Sequence, residues 1–93
     1  MPIESFRCNS TRALFMGDRI PRFRNIEASA VRKLAILNRV TRLEELRIPP
    51  HNRLEALKGD RKGQWSIRIN DQWRICFRFE GTDAHDVEII DYH

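Results

Sequence analysis

Ninety-three residues with 41% hydrophobic content fit one small globular domain with a limited core. The chain has no long apolar run, which excludes a transmembrane helix. It has no apolar leader before small residues, which argues against secretion and for the cytoplasm. The formal net charge is +4 and unevenly spread. Residues 1–50 hold ten Lys/Arg against five Asp/Glu, residues 51–78 seven against three, and residues 79–93 none against five. A basic body with an acidic last segment suits a polyanion partner, most simply nucleic acid, although a solvated arginine-rich surface accounts for the same counts.

In chain order, Ile3 to Cys8 is predicted as a first strand. Ser10 is placed as the cap of a short helix through Met16, ended by Gly17. Asp18 to Asn25 contains Pro21, lacks a period and is expected to be a loop. From Ala28 to Val40 the residues Ala30, Val31, Leu34, Leu37 and Val40 recur at helical spacing. Thr41 and Glu44 form a capping-box pattern, which predicts a second short helix carrying Leu43 and Leu46. Pro49 and Pro50 end it.

The remainder reads as strands. Leu54 and Leu57 flank Glu55 in a short one. Trp65, Ile67 and Ile69 alternate with Ser66 and Arg68. Trp73, Ile75, Phe77 and Phe79 alternate with Arg74, Cys76 and Arg78. Asn70-Asp71 is expected as a two-residue hairpin loop. Gly81-Thr82-Asp83 makes another turn before a last strand through Val87 and Ile89. The predicted class is therefore α+β, with N-terminal helices on one face of a small antiparallel sheet. The period of two puts the Trp, Ile and Phe residues under the helices and Arg68, Arg74 and Arg78 on the open face.

Cys8 and Cys76 lack zinc-ligand spacing and are expected to be reduced thiols; no metal or other cofactor is called for. The arginine stripe, together with Lys58, Arg61 and Lys62 in the loop before it, is expected to form a cationic surface for phosphate. Arginines on a strand also simply keep an open face soluble, a reading that applies to Arg68 and Arg78 more than to Arg74. Trp65 and Trp73 are assigned to the core, and His51 and His85 to solvent. RNA cleavage without a metal needs a base for the ribose 2′-hydroxyl, cations for the charge on phosphorus and an acid for the 5′-oxygen. His93, Glu55, Lys58, Tyr92 and Arg74 can fill these parts if they converge, which spacing alone does not establish.

Three stretches carry a resemblance: Leu57-Lys58-Gly59-Asp60, Trp73-Arg74-Ile75 and the closing Asp91-Tyr92-His93. Together they resemble the HigB-type toxins, the plasmid maintenance system killer protein family within the RelE/ParE toxin superfamily. The resemblance covers the whole of residues 1–93 as a single toxin domain. It implies a RelE-like, microbial-RNase-like fold and cleavage of messenger RNA in the ribosomal A site. It also implies a HigA-type helix-turn-helix antitoxin, with operator DNA bound only through the antitoxin complex, and no membrane partner. By position, Arg74 resembles the family's transition-state arginine, Asp91, Tyr92 and His93 its functional C-terminal trio, and Lys58 its basic loop residue.

One position departs from the pattern. Some family members carry a histidine three residues before that lysine, where this chain has Glu55. Glu55 then serves either as the base or as an edge-strand charge paired with Lys58. ParE-type relatives share the fold and inhibit DNA gyrase without nuclease chemistry, which is the competing reading. A third is a basic nucleic-acid-binding module with no activity.

Overall fold

The computed structural model describes residues 2–92 as two α-helices against a four-stranded antiparallel sheet in the order β1-β2-β3-β4. This is the expected α+β layout. Helix α1 spans Asn9–Phe15 and begins after an extended Cys8, not at Ser10, and no side chain caps it. Cys8 Sγ and Thr11 Oγ1 lie 2.9 Å apart. Thr11 Oγ1 also accepts the Ile89 amide at 3.0 Å, which ties α1 to the last strand. Gly17 takes a positive φ of 104° just beyond the helix, as a helix-ending glycine does.

Two N-terminal expectations need correction. Residues 18–25 are not all loop, because Pro21–Ile26 forms a 3-10 turn. Proline presets its first φ, and the turn buries Phe23 and Ile26. The strand expected over Ile3 to Cys8 reduces to two isolated parallel bridges, Ile3 with Ala84 and Phe6 with Val87. Continuous pairing fails at Asp86, which sits at φ 54° and donates its amide to Ser5 Oγ at 2.9 Å.

Helix α2, Glu27–Arg39, matches the helical period closely. Ala30, Leu34 and Leu37 are fully buried at i, i+4 and i+7 spacing. Val31 lies off that stripe and is exposed; Lys33 lies on it and is buried. The following turn, Leu43–Arg47, is 3-10, and its reciprocal cap uses Glu45, not Glu44. Glu45 Oε1 accepts from the Arg42 amide at 3.0 Å and from the Thr41 amide and hydroxyl at 3.1 and 2.9 Å. A further turn, Pro50–Asn52, leads into the sheet.

Strand β1 is Glu55–Ala56, β2 Gln64–Arg68, β3 Trp73–Glu80 and β4 Asp83–Asp91. The β2–β3 loop is one residue longer than expected. The Ile69 amide still bonds the Trp73 carbonyl at 2.9 Å, so Asn70, Asp71 and Gln72 form the loop. Asn70 Oδ1 stabilises it by accepting the Gln72 and Trp73 amides at 2.9 and 2.8 Å. Ile67, Ile75, Phe77, Val87 and Ile89 join the helical residues in one core, with Trp65 and Trp73 partly buried against it.

The face away from the helices is also partly covered. Cys76 is fully buried there, and burial pushes its thiol up to about 11 against the weaker opposing effects of Arg61 and Arg74. The native state therefore keeps this proton where the unfolded chain, at its ordinary value of 9.0, loses it. Stability contributed by the neutral thiol is complete below about pH 9 and declines toward pH 11. Between pH 8 and 10, urea midpoints of the parent should fall by the equivalent of about 1 kcal/mol more than those of Cys76→Ala. Equal falls would mean that the thiol is not desolvated.

Candidate active site

Strand register decides which side chains meet. Directly opposed residues in antiparallel strands share a face. Arg68 pairs with Arg74, and Arg74 with Ile90; Glu55 pairs with Ser66, and Ser66 with Cys76. Glu55, Ser66, Arg68 and Arg74 therefore lie on one face. Tyr92, two positions after Ile90, joins them as β4 ends. The result is a polar cleft of about 250 Å³ lined by Arg53, Glu55, Arg68, Asn70, Asp71, Arg74 and Tyr92.

Arg74 forms its floor and is only 7% exposed. Its Nε donates to Ser66 Oγ at 2.8 Å, and its Nη2 donates to the Arg53 carbonyl at 2.6 Å. The same Nη2 lies 3.4 Å from Glu55 Oε1, and the Tyr92 ring centroid is 5.4 Å from the guanidinium carbon. Two neutral oxygens and an aromatic face among the described residues thus hold the group, with one half-exposed carboxylate beside it. Among the described residues, Nη1 has no hydrogen-bond partner. Such a guanidinium is oriented and desolvated yet retains charge for an incoming anion.

The expected open cationic stripe is not found. Arg68 is paired with Asp71. Arg78 is paired with Glu80 and, at 2.8 Å, with Asp86, and both carboxylates raise its pKa, Asp86 more than Glu80. Arg61 bonds Gln64 at 3.1 Å and Glu88 at 3.3 Å, lower on the sheet. The physical reason is local. The hairpin loop and the β4 bulge at Asp86 deliver carboxylates onto the same face as the arginines. Glu55 is likewise not paired with Lys58 but with Arg74.

Of the other residues singled out from the sequence, Lys58 and Lys62 are exposed on either side of the 3-10 turn Gly59–Arg61, outside the cleft lining. Asp91 pairs across the sheet with Trp73, on the opposite side of β4 from Tyr92, and its Oδ2 accepts from Gln72 Nε2 at 3.0 Å. His93 lies outside the described residues. His51 is exposed as expected, whereas His85 is half-buried 3.7 Å from Glu80. Ser66, Arg53, Asn70 and Asp71 belong to the site and were not selected from sequence. Ser66 had a readable signal, a small polar residue at the strand position that faces the arginines. Arg53 had none, because its left-handed backbone, φ 47°, is not marked by a glycine.

The family model for the RelE-like toxin of the type II toxin–antitoxin system HigB matches residues 5–93. This chain belongs to the HigB-like toxin family. It is 47% identical over 55 residues to Toxin HigB-1 of Vibrio cholerae, covering 59% of this chain and 58% of that protein. It is 49% identical over 41 residues to Endoribonuclease HigB of Proteus vulgaris, covering 44% of this chain and 45% of that protein. The matched stretches thus span about half the length of these relatives. Among solved structures it resembles a YoeB/ParE toxin from Agrobacterium tumefaciens, with TM-score 0.59 and 20% identity over the full length of both chains. It also resembles a chain of the heterotetrameric YoeB–YefM toxin–antitoxin complex from Staphylococcus aureus, with TM-score 0.62, 18% identity, and 100% of this chain and 99% of that one covered. At these identities the structural likeness establishes the fold.

The Glu55–Arg74 contact gives the HigB-like chain a measurable property. A phosphate entering the cleft must compete with the Glu55 carboxylate for Nη2. Glu55→Gln should therefore bind inorganic phosphate more tightly by about two- to fivefold, the worth of a half-exposed ion pair. Nuclear magnetic resonance titration of the Arg74 Nε–H reads this directly. Unchanged or weaker phosphate binding would mean that Glu55 does not compete for the arginine.

Proposed function

We propose that this chain is the toxin of a type II toxin–antitoxin pair and an endoribonuclease that cuts messenger RNA in the ribosomal A site. The seating of Arg74 carries the reading: a buried, oriented and still cationic guanidinium beside a carboxylate and a phenol, in a chain of the HigB-like family. The name of the Proteus vulgaris relative supports ribonuclease chemistry. In the proposed reaction the scissile phosphate sits against Arg74. The 2′-hydroxyl loses its proton to Glu55 or His93 as the O2′–P bond forms. The P–O5′ bond breaks, and the departing oxygen takes a proton from His93. The products are a 2′,3′-cyclic phosphate and a 5′-hydroxyl. Arg74 holds the charge that builds on the phosphorane. Tyr92 positions the nucleotide, Asp91 orients the end of β4, and Lys58, Lys62 and Arg68 contact the backbone near the cleft.

The partner that restrains this activity is proposed to be a HigA-type helix-turn-helix antitoxin, through which the pair reaches operator DNA. The site of action is the cytoplasm, where the ribosomes are. Among the described residues no helix is long and apolar enough to cross a membrane.

Purified protein added to translating ribosomes should yield cuts in the message mapped by primer extension, while plasmid supercoiling by gyrase continues unchanged. Intact messages with blocked supercoiling would transfer the assignment to gyrase inhibition. Arg74→Ala should lower cleavage by about 10²–10³-fold, and deletion of Tyr92-His93 should abolish growth arrest, with both proteins folded. Glu55→Gln should lower cleavage by about 10²–10⁴-fold if Glu55 is the base. Parent-like toxicity of Glu55→Gln would leave His93 as the base. A tail deletion that cuts at the parent rate would remove the terminal trio from the mechanism.

A further inference from the structure

We infer that Asn52 is a positioning residue for Arg74: its buried amide, gripped by Lys33, sets the Arg53 carbonyl that fixes the guanidinium in the cleft. Only the kinetic arm of its test rests on the cleavage reading above.

Asn52 is polar and fully buried. Its Oδ1 accepts from the Lys33 ammonium. Its Nδ2 donates to the Leu46 carbonyl at 3.2 Å and to the Ile48 carbonyl at 3.3 Å, and its own amide donates to the Pro49 carbonyl at 3.0 Å. One side chain thereby ties α2 to the end of the Leu43–Arg47 turn and to the bend before the prolines. A primary amide meets this need, with acceptor and donors in one plane.

Lys33 makes the arrangement unusual. The helix stripe at positions 30, 34 and 37 requires only an apolar residue at 33. A lysine there is costly to bury. Burial lowers its pKa most, and Arg32 and the cleft residue Arg68 lower it further. Among the described residues its ammonium donates to Asn52 and meets no carboxylate.

The residue after Asn52 shows what the clamp delivers. Arg53 is left-handed, φ 47° and ψ 58°, a conformation that a non-glycine residue holds when its surroundings impose it. Its amide donates to the Pro50 carbonyl at 3.0 Å, and its carbonyl accepts Arg74 Nη2 at 2.6 Å. One residue, Arg53, and one hydrogen bond separate Asn52 from the catalytic guanidinium. A clamp serving only the core would lower stability when cut and leave Arg74 in place.

The test therefore observes Arg74. In the nitrogen-15-labelled full chain, the Nε–H bonded to buried Ser66 gives a protected signal, assigned by its loss in Arg74→Lys. Asn52→Ala should shift that signal and speed its hydrogen exchange by about tenfold or more. Val87→Ala, which opens a cavity in the hydrophobic core, should lose comparable thermal stability and leave the signal where it was. In single-turnover cleavage, Asn52→Ala should slow the chemical step by about 10²-fold with ribosome affinity nearly unchanged. Added to Arg74→Lys, it should cost nothing further, because both changes act on one group. Lys33→Met is the milder second variant, usable should Asn52→Ala not fold, and should move the same signal in the same direction by less. An unmoved Arg74 signal in either folded variant overturns the inference. A parent protein that cuts no message overturns the cleavage reading, while the Arg74 signal still decides the role of Asn52.

Discussion

Burying the Arg74 guanidinium constrains the rest of this molecule. A charge removed from water without partners costs several kcal/mol, even after the protein relaxes around it. Here the compensation comes from Ser66 Oγ, the Arg53 carbonyl, the Tyr92 ring and the edge of one carboxylate. Hydrogen bonds to a charged group contribute about 1.5–3 kcal/mol each. The first two acceptors are neutral, so they hold the group without cancelling it. Arg78, four residues along the same strand, is the internal contrast. It is met by two carboxylates that raise its pKa, and it is exposed enough for water to share the load. One arginine is neutralised at the rim, and the other stays positive at the floor of a cleft.

That arrangement explains why a short segment without regular structure matters as much as the sheet. Ser66 reaches Arg74 through strand register, which the alternation of β2 and β3 specifies. The Arg53 carbonyl cannot be placed that way. It depends on the path from α2 through the turns ending at Arg47 and Asn52, held by the buried Lys33–Asn52 contact. The two helices therefore do more than cover the sheet. Through Thr11 and Lys33 they anchor both ends of the site, the β4 strand that carries Tyr92 and the segment that carries Arg53.

Much of this fold was legible in the sequence because its signals are periodic. The stripe of Ala30, Leu34 and Leu37 fixed α2 to within one residue at either end, and alternation located the three longer strands and their inner faces. Errors gathered where a side chain, not a period, decides the structure. Pro21 and Phe23 turned a loop into a 3-10 turn, and Ser5 took an amide that a regular strand would have used. For the site, sequence reached Arg74 and Arg68 through strand alternation, and Glu55 and Tyr92 through the parts that metal-free cleavage needs and the family resemblance. It could not reach Arg53, whose contribution is a carbonyl presented by an unmarked left-handed residue. Nor did it pair the arginines with their carboxylates: Arg68 meets Asp71 in the hairpin loop, and Arg78 meets Glu80 two positions along its own strand and Asp86 across the β3–β4 turn.

Those folded-back carboxylates alter what the basic composition means. A free stripe of arginines would hold any phosphate backbone with similar strength at every position. Four arginines on or beside this face have a carboxylate within 4 Å: Glu88 for Arg61, Asp71 for Arg68, Glu55 for Arg74, and Glu80 and Asp86 for Arg78. In each pair at least one partner is partly exposed, Glu55 for buried Arg74, and pairs screened by water in this way are worth about 0.2–1 kcal/mol each, so a phosphate can displace one, though not without cost. Binding is then favoured where displacement gains the most. That place is Arg74, because its remaining bonds to Ser66 and Arg53 persist when Glu55 is pushed aside. On the proposed function, paired arginines elsewhere on the face would weaken indiscriminate RNA binding, while the net charge of +4 would still draw a polyanion toward the protein. Under the proposed cleavage, selectivity for a single phosphate would arise from unequal pairing, which the amino-acid counts conceal and the strand register exposes.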